Sequence, residues 1–309
     1  MIRSILALML CAAVPSFGAE PVQAPNRFAF TLAPSERFEV GATLVERFGA
    51  RGTPLILVPG LASGGWTWQS TVRQFMGEHT VYVLTLPGFS GRAPAPGEGL
   101  AAAEIALRDL IDSRQLARPV VIGHSMGGTM AISLAARYPD LVRGVVAIDG
   151  LPVFPGTEGW APQQRATLAA GISGQLRAST PAMFAAQQQG YMRGTGVIDM
   201  ARADELARLT ATSDRDAVNR YMGEIMAQDL RPILPNIKAP VLVISPYFAA
   251  DGEQLQMSEQ AKTGYYLSLM KGTPNVTVLP VSPARHFAMF DQPEKVNGLI
   301  GQFLQTLQR

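Results

Sequence analysis

The sequence predicts an α/β fold in which helices flank both faces of a mostly parallel sheet and a group of inserted helices forms a cap. Six short runs rich in Val, Ile and Leu are typical of strands that are buried on both faces. Segments with helical spacing separate most of these runs, and strands that alternate with helices indicate parallel pairing. One long stretch, between the fourth and fifth runs, lacks a strand pattern, and there we expect the cap.

The elements can be assigned in order along the chain. Residues 28–48 predict two strands with a turn at Pro34-Ser35. The six apolar runs are residues 55–58, 81–85, 120–122, 145–148, 241–244 and 276–279. Apolar residues recur at helical spacing over 100–116, and residues 129–137 are rich in strong helix formers, so both segments predict helices.

The stretch between residues 148 and 241 is rich in Ala, Gln, Arg and Met, and its pattern predicts helices over 162–176, 181–192 and 202–226. We assign residues 152–232 to the cap and residues 28–151 and 233–309 to the core. Six large apolar side chains of the cap need a partner surface: Phe184, Tyr191, Met192, Tyr221, Met222 and Met226. We expect most of them to pack against the core and a minority to line a pocket, because ligand sites favour such junctions.

Composition and charge exclude several classes of protein. The 309 residues are 47% hydrophobic and 16% charged, a balance that suits a globular protein and argues against a disordered chain. The formal net charge is only +2 and no run of Lys and Arg occurs, so nothing favours nucleic acid as a partner.

The first residues have the pattern of an export signal. Arg3 gives a positive start, residues 5–14 are apolar, and Ser16 and Gly18 fit a cleavage after Gly18. The apolar stretch is shorter than the roughly 20 residues of a membrane span, so we expect no stable membrane anchor. We predict a signal peptide at residues 1–18 and a periplasmic or secreted product, with an uncleaved N-terminal helix as the alternative.

Cysteine and histidine content limits the chemistry. Cys11 is the only cysteine and would leave with the signal, so the mature chain would have no thiol for catalysis or for zinc binding. The three histidines, His79, His124 and His286, are too scattered to indicate a histidine metal cluster. We expect neither a metal nor an organic cofactor.

The strongest local motif is G-x-S-x-G at residues 123–127, which directly follows a predicted buried strand and precedes a predicted helix. A sharp turn from strand to helix strains the backbone at Ser125, and Gly123 and Gly127 remove side chains that would collide there. The helix that follows points its first N–H groups, including that of Met126, towards a developing oxyanion. This context predicts Ser125 as a nucleophile.

A nucleophilic serine needs a base, and position selects one of the three histidines. His124 directly precedes Ser125 and cannot easily reach it, because neighbouring side chains there point apart. His79 precedes its strand and therefore lies at the wrong end of a parallel sheet. His286 follows the last predicted strand, at its carboxyl end, so we expect it to be the base.

A second oxyanion donor is expected in the loop after the strand at residues 55–58. Gly60 permits a close approach of the backbone in this loop, and the N–H of Leu61 is the predicted donor. A simple tight turn is the alternative interpretation of this stretch.

These motifs occur in the order found in the α/β-hydrolase superfamily, which the chain resembles from about residue 28 to its end. The residues that carry the resemblance are 58–61, 86–89, 123–128, 229–243 and 286–293. The chain looks closest to lipase-like and carboxylesterase-like bacterial members. The resemblance implies an α/β-hydrolase sheet flanked by helices, with a helical cap.

The acid that would orient the base departs from the commonest family pattern. Many members carry it shortly after the strand that corresponds to residues 241–244, as I-x-G-x-x-D, whereas this chain lacks the glycine and Asp251 comes two positions late. A subset of the superfamily carries the acid after the preceding strand, where this chain has Asp149. The resemblance therefore leaves two candidates, of which we prefer Asp149 to Asp251.

These residues predict a serine hydrolase that cleaves a carboxylic ester through an acyl-enzyme, with a small-molecule ester as its partner. Lactonase, amidase and carbon–carbon bond hydrolase activity use the same machinery and remain alternatives. A non-catalytic ligand-binding member of the fold is a further alternative from a different class. Nothing in the sequence indicates the substrate or the oligomeric state.

Overall fold

The computed structural model describes residues 31–97, 99–177 and 179–308. The predicted signal peptide at residues 1–18 lies outside the described residues. Within the described part of the chain, no helix combines the length and the hydrophobicity that a membrane span needs.

The described residues form an eight-stranded sheet with the order β1-β2-β4-β3-β5-β6-β7-β8. The strands are β1 Glu36–Val40, β2 Thr43–Phe48, β3 Leu55–Val58, β4 Val81–Thr85, β5 Val120–His124, β6 Gly144–Ile148, β7 Val241–Pro246 and β8 Val276–Val281. The pairs β1–β2 and β2–β4 are antiparallel and all other pairs are parallel. The predicted α/β fold with a mostly parallel sheet is confirmed.

Helices cover both faces of this sheet. They are α1 Gln69–Phe75, α2 Leu100–Ser113, α3 Met126–Arg137, α4 Pro162–Arg177, α5 Pro181–Tyr191, α6 Met200–Thr210, α7 Arg215–Ala227, α8 Ala249–Gln254, α9 Glu259–Leu269, α10 Ala288–Asp291 and α11 Pro293–Thr306. Successive residues of β3 pack into two different apolar clusters, with Ile56 and Val58 in one and Leu55 and Leu57 in the other. Burial on both faces explains why β3 to β7 are continuous apolar runs. The edge strand β8 is the exception, because most of its residues are partly buried or exposed rather than buried on both faces.

Two local predictions were wrong. The turn between the first two strands lies at residues 41–42 and not at Pro34-Ser35, because Gly41 adopts φ +56° between the paired residues Val40 and Thr43. The helix predicted over 202–226 is two helices, α6 and α7. The helical chain is interrupted before Asp214, whose carboxylate caps the start of α7 by accepting a hydrogen bond from the Ala217 N–H at 2.8 Å.

The helices α4–α7 occupy the predicted gap between β6 and β7. An antiparallel bridge between Val153 and Asp229 joins the two ends of this insertion. Buried Tyr221 of α7 packs against Phe89, with ring centroids 5.0 Å apart, so part of the insertion rests on the loop that follows β4. The insertion therefore covers the carboxyl ends of the strands, where residues 86–89, 125 and 149 emerge.

Candidate active site

Ser125 stands at a sharp turn between β5 and α3, with φ 54° and ψ −120°. Such a backbone conformation is strained for a residue with a side chain. Glycines make the turn possible: a Cβ at Gly123 would lie 2.1 Å from the Gly127 carbonyl oxygen, and one at Gly127 would lie 2.2 Å from the Val58 carbonyl oxygen. The strand, turn and helix predicted around Ser125 are all present.

His286 and Asp149 meet above this turn. Asp149 directly follows β6 with φ 50°, and His286 lies in the loop after β8. The His286 Nδ1 lies 2.5 Å from the Asp149 Oδ2, and both side chains are largely buried, with exposed fractions of 15% and 11%. A carboxylate in this position fixes the orientation of the imidazole and favours its protonated form.

The environment of Asp149 keeps it ionised. Burial alone would raise the pKa of this carboxyl, but the charge and hydrogen bond of His286, the charge of Lys262 and a hydrogen bond from Tyr266 outweigh it. The pKa of Asp149 is lowered to about 2 as a result. An acceptor for the His286 N–H is therefore present throughout the neutral pH range.

Asp251, the other candidate acid, has a different partner. It lies in α8 and forms a two-pronged ion pair with Arg285, with nitrogen–oxygen distances of 2.8 and 2.7 Å. Arg285 also donates to the Arg193 carbonyl oxygen of the insertion at 2.8 Å. Asp251 thus holds the loop that carries His286 rather than the imidazole itself.

The other two histidines have different hydrogen-bond partners. The His79 Nδ1 lies 3.0 Å from the Thr53 carbonyl oxygen, near the start of β4 and away from Ser125. His124 is fully buried, and its Nε2 lies 2.9 Å from the backbone oxygen of His286. Burial, followed by the charge of His286, lowers the pKa of His124 to about 3, so its ring is neutral and supports the His286 loop.

A cavity of about 420 Å³ connects the predicted site residues. Its lining includes all five of them: Leu61, Ser125, Met126, Asp149 and His286. Met126 is the first residue of α3, so its N–H has no partner within the helix and is free to donate to a ligand. Among the described residues, the His286 side chain forms its hydrogen bond with Asp149 and none with Ser125. Catalytic contacts of the serine–histidine kind often tighten only when substrate binds.

The insertion supplies one wall of the cavity. Of the six apolar side chains singled out in the sequence, Tyr191, Met192 and Met222 line the cavity, joined by Gln188, Thr195 and Ile225. Phe184, Tyr221 and Met226 are instead buried in packing contacts. Three of the six therefore line the cavity and three pack, so the lining share is larger than the expected minority.

Backbone hydrogen bonds attach the insertion to the loop that carries His286. The His286 N–H donates to the Thr195 carbonyl oxygen at 3.1 Å, and the Phe287 N–H donates to the Gly196 carbonyl oxygen at 2.9 Å. The segment Met192–Gly196 and this loop therefore form one continuous wall of the cavity.

Sequence reasoning missed two residues beside the acid, Tyr266 and Lys262. The Tyr266 hydroxyl donates a hydrogen bond to the Asp149 Oδ1, and the Lys262 ammonium donates to the Pro246 carbonyl oxygen at 2.6 Å. Both lie in α9, more than 100 positions from Asp149 in the sequence, and no motif marks them. Within the described ranges, no group of three or more His, Cys, Asp or Glu side chains is arranged to hold a metal ion.

Comparison with known proteins agrees with this architecture. A model of the alpha/beta hydrolase family matches residues 55–299. A pimeloyl-(acyl-carrier protein) methyl ester esterase of Aeromonas hydrophila is 28% identical over 211 residues, which cover 64% of this chain and 77% of that protein. A (lyso)-N-acylphosphatidylethanolamine lipase of Bos taurus is 23% identical over 281 residues, which cover 82% of this chain and 80% of that protein.

A solved structure shows the same fold at low sequence identity. It is a thermophilic esterase from Thermogutta terrifontis, which superposes with a TM-score of 0.71 at 19% identity and covers 89% of this chain and 100% of its own. The relatives described here are named as hydrolases that cleave esters or lipids. Because the family match spans most of the sheet and the site, the chain belongs to the alpha/beta hydrolase family.

Proposed function

We propose that this protein is a serine hydrolase that cleaves a carboxylic ester through an acyl-enzyme intermediate. The observation that carries the proposal is the 2.5 Å contact between His286 and Asp149, which line the same cavity as Ser125. Relatives named as esterases support the same class of reaction.

In the first half of the proposed reaction, the Ser125 hydroxyl oxygen attacks the ester carbonyl carbon. His286 takes the hydroxyl proton, and Asp149 stabilises the imidazolium that forms. The negative charge moves to the carbonyl oxygen, where the N–H groups of Leu61 and Met126 donate to it. The bond to the leaving oxygen then breaks, and His286 gives its proton to the departing alcohol.

In the second half, water replaces the alcohol. His286 takes a proton from this water as its oxygen attacks the acyl carbon, and the same two N–H groups hold the oxyanion. Collapse of the intermediate breaks the bond to Ser125, whose oxygen takes the proton back from His286. The products are a carboxylic acid and the free enzyme, and no other reactant is needed.

The cavity lining favours an uncharged, largely apolar ester. Its volume is within the usual range for small-molecule sites, about 300–1,000 Å³. Among the described residues that line it, Asp149 is the only carboxylate and no Lys or Arg is present. If the substrate carried a free carboxylate beside its ester group, that carboxylate would lose its hydration without gaining a cationic partner.

Labelling with a fluorophosphonate probe tests the proposed nucleophile. We expect the wild-type protein to be labelled and the Ser125→Ala variant not to be. Ser268→Ala is the matched control, because the Ser268 hydroxyl is exposed and donates to the Tyr265 carbonyl oxygen at 2.6 Å. Equal labelling of wild type and Ser125→Ala, or no labelling of the folded wild type, would refute the proposal.

A panel of nitrophenyl esters from acetate to dodecanoate, with matched lactones and amides, tests the substrate class. We expect esters of monocarboxylic acids to be cleaved faster than half-esters of dicarboxylic acids of the same length. Faster cleavage of the amides, or of the charged half-esters, would contradict the proposed class.

A further inference from the structure

Both oxygens of the Asp149 carboxylate have a partner. The Oδ2 faces the His286 Nδ1 at 2.5 Å, and the Oδ1 accepts a hydrogen bond from the Tyr266 hydroxyl. Tyr266 lies in α9, which packs against the sheet beside β7 and β8. The carboxylate is therefore held from two sides by two separate parts of the chain.

Tyr266 can act only as a donor in this contact. The residue is 6% exposed, and burial followed by the charge of Asp149 raises the pKa of its phenol well above the ordinary value. The phenol is therefore protonated at neutral pH. Its hydrogen bond to a charged acceptor belongs to the strong class.

The place of Asp149 in the chain explains why such a partner is needed. Asp149 directly follows β6 with φ 50°, and its backbone N–H is held by the Ile244 carbonyl oxygen at 2.9 Å. These contacts fix the backbone but not the rotation of the carboxylate. Without a partner for Oδ1, that buried oxygen would be unsatisfied and the carboxylate could turn away from His286.

We propose that Tyr266 is the positioning residue of the catalytic acid, holding the Asp149 carboxylate in the rotation that presents Oδ2 to His286. This inference rests on the proposed hydrolase function for its kinetic consequences. The geometry of the pair itself can be measured without turnover, so the two ideas can fail separately.

The test compares two neighbouring tyrosines on the same helix. Tyr266→Phe removes the hydroxyl that reaches Asp149 and leaves the ring. Tyr265→Phe is the matched control, because the Tyr265 hydroxyl donates to the Glu158 Oε1 at 3.0 Å and accepts from the Gly156 N–H at 3.1 Å, away from the acid.

The first readout is the proton NMR resonance of the His286 Nδ1–H, which lies far downfield when this proton is shared with a carboxylate. We expect Tyr266→Phe to shift or broaden it and Tyr265→Phe to leave it unchanged. A movement of this resonance in a protein that hydrolyses no ester would support the positioning role and refute the proposed function instead.

The second readout is kinetic. We expect Tyr266→Phe to lower kcat about ten-fold or more, the effect of losing a hydrogen bond to a charged group, with KM within about two-fold. The acidic limb of the pH–kcat profile should move to lower pH, because a carboxylate that turns away from His286 stabilises the imidazolium less. The other titratable groups around Asp149, which remain unchanged, are Lys262 of α9, His124 of β5 and Tyr191 of α5.

Thermal unfolding shows whether each variant is folded. If Tyr266→Phe does not fold, Tyr266→Gln and Tyr266→Met repeat the comparison with side chains of matched size, of which only Gln can donate. We then expect Gln to keep the downfield resonance and more activity than Met. An unchanged resonance in Tyr266→Phe, or equal resonances and activities for Gln and Met, would overturn the proposal, even if kcat falls.

Discussion

Replacing each candidate acid by asparagine gives the most direct test of the proposed site. Asp149→Asn keeps the shape of the side chain and removes the charge that faces His286 at 2.5 Å. The same change at Asp251 removes a charge that faces Arg285 at 2.7 Å. The two variants therefore remove charges of equal size from neighbouring parts of the molecule, but the two charges have different partners.

The expected loss follows from the geometry. The charges of a carboxylate and an imidazolium are spread over several atoms, so their effective separation is about 4 Å, and at an effective dielectric constant of about 20 they attract by about 4 kcal/mol. Because the imidazolium forms during the reaction, most of this energy stabilises the transition state. A loss of about 4 kcal/mol lowers kcat about a thousand-fold, and amide substitutions in triads of this type reach about 10⁴-fold.

Steady-state hydrolysis of the best ester of the panel gives kcat and KM for both variants. We expect Asp149→Asn to lose activity on this scale with KM little changed. Asp251→Asn should lose less than about ten-fold in kcat and about 1–3 kcal/mol in the free energy of unfolding, because it leaves Arg285 partly unpaired. If Asp149→Asn kept kcat within ten-fold of wild type, or if Asp251→Asn lost as much as Asp149→Asn, the assignment of Asp149 would be refuted.

Two further predictions concern stability. Gly123→Ala should destabilise the protein by about 1–3 kcal/mol or more, because its Cβ would lie 2.1 Å from the Gly127 carbonyl oxygen. In urea unfolding, the control Gly298→Ala should not destabilise, since a Cβ there meets nothing within 4 Å; equal losses would contradict the steric argument. The pKa of Asp149 is about 2 in the folded protein, below its ordinary value of 3.8. Its ionisation therefore stabilises the fold fully above about pH 4, and this contribution is lost as the pH falls towards 2. The difference in Tm between wild type and Asp149→Asn should change between about pH 4 and pH 2, and a constant difference from pH 7 to pH 2 would contradict this prediction.

The sequence was sufficient for the sheet and for the turn at Ser125. Continuous apolar runs, alternating with helical segments, predict buried parallel strands because both faces of such strands exclude water. The sharp turn requires Gly123 and Gly127 for steric reasons that act within a few residues, so a short motif predicts it well. The turn predicted at Pro34-Ser35 was wrong because Gly41, with its positive φ, closes the hairpin.

The position of His286 was also predictable, since parallel strands bring their carboxyl ends to one edge. The sequence could rank the two candidate acids only by analogy with relatives. A carboxylate after one predicted strand has the same local pattern as a carboxylate after the next strand. The structure separates them: Asp149 faces His286, whereas Asp251 faces Arg285.

What the sequence by itself determined is the part of the protein that depends on short-range sterics and on burial: the strands, the turn at Ser125 and the insertion between β6 and β7. Tertiary structure alone decided which carboxylate meets His286, that Tyr266 holds its other oxygen, and that the insertion closes a largely apolar cavity. The physical reason is that these contacts join residues about 90 to 140 positions apart, so they leave no local pattern in the chain.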